Sequence, residues 1–132
     1  MANAKGNLRS DLGRVRGLGS AKEGVRHWWV QRVTAIALIP LSLWFVAGIV
    51  FLIDVDRATA IQWLGSPVTL GLMSLFLIAL IYHTVLGLQV VIEDYIHSHA
   101  VKLTLLLAIQ FAGWGLAAAG IIAMLLITIY GG

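Results

Sequence analysis

Residues 58–92 read ATAIQWLGSPVTLGLMSLFLIALIYHTVLGLQVVI, thirty-five consecutive positions without Asp, Glu, Lys or Arg. A hydrocarbon core about 30 Å thick is crossed by roughly 20 helical residues, so this stretch is too long for one span. Leu64-Gly65-Ser66-Pro67 divides it, because Gly and Pro punctuate regular structure. The reading is therefore a loop through Ser66 and a membrane helix over 68–92. Two further charge-free stretches flank it, Val33–Ile53 and Leu103–Gly132. They predict helices over 31–53 and 102–129, the first kinked at Pro40, which lacks a backbone donor. The fold class expected is an all-α membrane protein with three transmembrane helices.

Composition agrees. Of 132 residues, 60% are hydrophobic and 11% charged, with a mean hydropathy of +0.93. Soluble domains carry about a quarter charged residues, so a freely soluble monomer is excluded. Seven of the nine Lys and Arg residues fall within the first 32 positions, against Asp11 and Glu23. Positive charge stays on the cytoplasmic side, which puts the N-terminus inside. Three crossings then put Asp54, Asp56 and Arg57 outside, Glu93–Val101 inside and the C-terminus in the periplasm. Residues 1–26 read as a basic, Gly-rich cytoplasmic tail and 27–132 as the membrane domain. The pI near 9.7 is explained by this asymmetry rather than by nucleic acid. The absence of cysteine excludes disulfides and Cys-ligated metal centres within the chain. The polar region before the first span is too long for a signal peptide. No internal repeat is visible, which weighs against a transporter built from inverted repeats. In the third helix, Gly113 with Ala117 and Gly115 with Ala119 permit close helix packing.

Ionisable groups inside a span are costly and point to function. His83 is the clear case, about 14 Å from the inner end of the second helix and near the bilayer midplane. It has two readings: a neutral imidazole bonding a neighbouring helix, or an axial ligand of haem. Ala79 and Gly87, four residues to either side, leave room on its face for a flat ring. His27, His97 and His99 fall outside the predicted spans, so a second axial ligand would come from a partner subunit. Asp94 lies eleven residues beyond His83, on the same face and about 16 Å along the axis. Asp94 with Tyr95 is either an ordinary helix end or a hydrogen-bonding, proton-relaying pair suited to a quinone. Arg26 and Arg32 have two readings: binding lipid phosphates, or anchoring haem propionates and polarising a quinone, guanidinium being a forked donor. Trp28 and Trp29 mark the interface.

The run YHTVLGLQVVIEDYIHSHAVK, with His83 followed after ten residues by Asp94-Tyr95, resembles the signature of the hydrophobic membrane anchor subunit of succinate dehydrogenase, respiratory complex II. Arg32 in QRVTAIALIPL resembles the entry to that family's first helix. The resemblance covers about residues 24–110. It implies half of a heterodimeric anchor bundle in a bacterial inner membrane, equivalent to the mitochondrial inner membrane. It implies that His83 ligates haem b, opposite a His of the cytochrome b subunit. Arg32 would lie near the haem propionates and the quinone, with Arg26 and His27 as further propionate candidates. Tyr95 would bond a ubiquinone carbonyl, supported by Asp94. Succinate would be oxidised in a flavoprotein subunit, with electrons passing through an iron–sulfur subunit. A fumarate reductase anchor is the alternative within the class. A small membrane transporter or scaffold without haem is the alternative outside it.

Overall fold

A backbone that crosses hydrocarbon must satisfy its own N–H and C=O groups, and a helix does so within one segment. The computed structural model describes residues 22–131, which form four helices and no strand. Helix α1 spans Lys22–Leu52, α2 Arg57–Gly65, α3 Pro67–Tyr95 and α4 His99–Tyr130. Helices α1, α3 and α4 are long and apolar enough to cross a membrane. The three-span, all-α expectation holds.

The element boundaries differ from expectation in three places. Helix α1 begins at Lys22 rather than 31, so Lys22 to Arg26, assigned to the tail, are helical. A charge-free window marks the hydrocarbon crossing, whereas a helix continues while its backbone bonds and side-chain contacts last. The earlier part of the tail lies outside the described residues. Pro40 lies inside helix α1, as expected.

The segment before Ser66 is not a loop but the short helix α2. Nine residues rarely hold a helix alone, and tertiary contacts stabilise this one. The Trp63 ring lies across Gly48 of α1, where a Cβ would stand 2.6 Å from the indole. Trp63 stacks on Trp44 at 5.8 Å between centroids and tilts against Phe51 at 6.1 Å. Ser66 then caps α3, its Oγ accepting from the Thr69 N–H at 3.2 Å, with Pro67 in the first turn. The Gly-Ser-Pro signal thus marks a junction between two helices.

The expected inner loop, Glu93–Val101, shrinks to three non-helical residues, 96–98. Lys102 Nζ reaches back to the Glu93 carbonyl oxygen at 3.3 Å, placing a cation at the carbonyl end of α3.

Helix α3 is the middle of the bundle, packing on α1 to one side and α4 to the other. Of the two small-residue pairs on α4, only Gly113 and Ala117 are buried. A Cβ at Gly113 would stand 2.6 Å from Val85 Cγ2, whereas one at Gly115 would meet nothing within 4 Å. The buried apolar set is small: Leu41, Ala79, Val85, Leu86 and Ala117. Many large apolar side chains on all three long helices are exposed, as expected where lipid or other subunits cover them.

Candidate functional site

The site forms where the first turns of α1 run beside the last turns of α3. On α1, Gly24, His27, Trp28, Gln31 and Ala35 recur at three- and four-residue spacing and share one face. On α3, His83, Gly87 and Val90 do the same. These residues, with Arg32, line a groove of about 470 Å³.

His83 is held from one side. Its Nδ1 stands 3.0 Å from the Thr34 hydroxyl, a contact that joins α3 to α1. The Thr34 oxygen also lies 2.8 Å from the Val30 carbonyl oxygen and 3.1 Å from that of Gln31. The His83 Nε2 makes no hydrogen bond to any described residue, and protein does not enclose it. Of the two small neighbours expected to flank His83, Gly87 lines the groove, whereas Ala79 is buried in the bundle. Gly87 keeps the floor low: a Cβ there would meet Gln31 Nε2 at 3.8 Å, an ordinary contact distance.

Polar groups line the groove as well. Arg32 projects beside Trp28, its guanidinium carbon 5.5 Å from the ring centroid, a cation–π distance that steadies an exposed side chain. His27 Nε2 and Gln31 Oε1 are enclosed without a hydrogen-bond partner among the described residues. Leaving such an atom unpaired costs about 1–3 kcal/mol, so two side by side on one face mark a place built for polar contact. His27 sits seven residues before Thr34, about 10 Å along α1 from the level of His83. It belongs to the rim of the groove rather than opposite His83.

Arg26 is separated from these residues. It lines an adjoining groove of about 470 Å³ with Tyr82, Gln89 and Glu93, and only Gly24, His27 and Val90 are common to both. In that groove Gln89 Nε2 donates to Glu93 Oε1 at 2.9 Å. Asp94 and Tyr95 line neither groove. They close α3 about 16–18 Å from His83 along the axis, and Tyr95 is 76% exposed. Among the described residues, no three His, Asp or Glu side chains cluster as a metal site. The chain therefore brings His83, Arg32 and His27 together, sets Arg26 next door and leaves Asp94 and Tyr95 outward.

A model of the succinate dehydrogenase/fumarate reductase transmembrane subunit matches residues 6–117. The chain belongs to that family. It is 36% identical over 104 residues to the succinate dehydrogenase hydrophobic membrane anchor subunit of Rickettsia bellii, covering 79% of this chain and 83% of the relative. It is 31% identical over 110 residues to the corresponding subunit of Paracoccus denitrificans, covering 83% and 84%. The membrane anchor subunit of Reclinomonas americana is 28% identical over 92 residues, 67% of this chain and 77% of the relative. No solved structure matches the chain at a significant level. Family membership makes it a membrane anchor of the succinate dehydrogenase type, and the matched residues include both helices that form the groove.

Thr34 and Gln31 were not singled out from the sequence. Gln31 had a usable signal, a polar residue four positions from His27 on a helix face. Thr34 had none. A threonine in an apolar helix usually bonds its own backbone, as this one also does.

Proposed function

We propose that this chain anchors a succinate:ubiquinone oxidoreductase in the inner membrane, holds haem b together with a partner cytochrome subunit, and forms part of the ubiquinone-reduction site. The observation that carries the reading is His83, held through Nδ1 with Nε2 free, in a groove that Arg32 and His27 also line. The donor set fits a haem. One imidazole nitrogen suits iron, and a guanidinium with a second, unpaired imidazole suits the carboxylates at the ring's edge. Haem supplies a one-electron store.

The chain's own residues bind and orient. His83 would hold the iron through Nε2. Arg32, steadied by Trp28, would offer charge-assisted hydrogen bonds in the same groove, with His27 also lining it and Arg26 in the adjoining one. Tyr95 and Asp94 present a phenol and a carboxylate at the end of α3. Their exposure suits a quinone pocket whose other walls come from the partner cytochrome and iron–sulfur subunits. Succinate oxidation belongs to the flavoprotein subunit. The family description names fumarate reductase as well, and the anchor's residues serve either direction of electron flow.

The test is affinity purification of the tagged chain from its native membrane. Co-purifying flavoprotein, iron–sulfur and cytochrome subunits with b-type absorption bands are expected. A stable, colourless protein without those partners would return the chain to the transporter or scaffold reading. Rates of succinate oxidation and fumarate reduction on the same preparation separate the two directions.

A further inference from the structure

We infer that Thr34 positions His83 by accepting the Nδ1–H in its hydroxyl oxygen, which leaves the Nε2 lone pair unprotonated and available as a ligand. What Nε2 then binds rests on the haem reading above. The hydrogen-bond arithmetic does not.

A hydroxyl carries one proton and two lone pairs. Thr34 Oγ1 has three neighbours: the Val30 carbonyl oxygen at 2.8 Å, the Gln31 carbonyl oxygen at 3.1 Å and His83 Nδ1 at 3.0 Å. Carbonyl oxygens cannot donate, so both short contacts on α1 are favourable only when the proton points back along the helix. The lone pairs then face α3, and the nitrogen opposite them must supply the proton. A neutral imidazole has one N–H, and placing it on Nδ1 leaves Nε2 bare. The reverse assignment leaves the two carbonyls facing a hydroxyl lone pair. It also puts the remaining imidazole proton on Nε2, which has no acceptor within hydrogen-bond distance among the described residues.

An acceptor on the far nitrogen of a ligating imidazole fixes its tautomer and ring orientation and raises its basicity. Stronger donation favours ferric over ferrous iron, so the Thr34 oxygen lowers the haem midpoint potential. Thr34 touches no reacting atom in this scheme. It is a positioning residue.

The experiment compares whole complexes carrying Thr34→Val, Thr34→Ala and Thr34→Ser. Valine keeps the branched shape without the oxygen, while serine and alanine differ from each other only by that oxygen. Haem content and the midpoint potential from optical redox titration are the readouts. Valine and alanine are expected to raise the potential and weaken haem retention about tenfold, with serine near the parent on both. A tenfold loss confined to the ferric state corresponds to about 59 mV for one electron. Should the valine complex fail to assemble, the serine–alanine pair decides alone. Parental potential and haem content in the variants lacking the oxygen overturn the assignment, as does serine behaving like alanine. His83→Ala measured alongside keeps the two ideas apart: loss of haem there with unaltered Thr34 variants sinks only the Thr34 role, an undiminished b-type spectrum removes His83 as the ligand and the Thr34 role with it, and absence of b-type bands from the parent complex sinks the haem reading itself.

Discussion

Gly113 of α4 lies so close to Val85 of α3 that a Cβ on the glycine would stand 2.6 Å from the valine Cγ2. Ile81 Cγ2 closes the same spot at 3.2 Å. Bare backbone lets the two helices approach here, and van der Waals contact of this kind is a main source of helix association in lipid. Val85 also lies two residues beyond His83, so the α3–α4 contact helps to hold the helix that presents the imidazole.

Gly113→Val is therefore expected to destabilise the bundle by about 1–3 kcal/mol through overpacking. Gly115→Val, two residues away in open space, should leave the contacts within this chain intact. Thermal unfolding of the purified protein in detergent compares them, and equal losses would contradict the packing described for α4.

Gly48→Leu should displace Trp63 from α1 and loosen α2, because the indole occupies the volume the new side chain needs. Tryptophan emission would shift, and protease access between Leu52 and Pro67 would rise. An unchanged digestion pattern would mean that the contacts of α2 with α3 and α4 hold it without the seat of Trp63 on α1.

His83→Ala removes the imidazole that would hold the iron in the proposed site, and b-type haem should be lost or spectrally altered. Optical spectra of the mutant complex at equal protein concentration show this directly. Unchanged bis-histidine bands and haem content would exclude His83 as the ligand.

Arg32→Ala should lower haem retention more than Arg26→Ala, since only Arg32 shares the groove with His83. If both residues merely attract lipid phosphates, each contributes about 1 kcal/mol and the two substitutions act alike. Haem content per complex distinguishes the outcomes.

Tyr95→Phe should slow ubiquinone reduction while sparing succinate oxidation by an artificial soluble acceptor. The phenol is exposed at the end of α3, so deleting its oxygen removes no packing within this chain. A bond to developing charge worth roughly 1.5–3 kcal/mol corresponds to about ten- to a hundredfold in rate. Parallel loss of both activities would assign Tyr95 to assembly. Loss of neither would put the quinone elsewhere.

The number of spans, the class of fold and the position of His83 inside a span were legible in the sequence. Each depends on a one-dimensional property: the length of an uncharged run, or an ionisable residue inside one. Tyr95 and Asp94 were likewise readable as a helix end, and α3 does end at Tyr95. Tertiary structure decided the rest. It turned Gly113 and Ala117 inward while leaving Gly115 and Ala119 outside, and it built α2 from residues that alone read as loop. It parted Arg26 from Arg32, and it set the Thr34 hydroxyl against His83 Nδ1. The physical reason is common to all of these. In water an apolar stripe announces which face of a helix is buried, but these helices are apolar all round, and lipid is as apolar as a neighbouring helix. Which faces meet, and at what register, is settled by side-chain shape and a few interhelical hydrogen bonds, and those exist only once the helices are together.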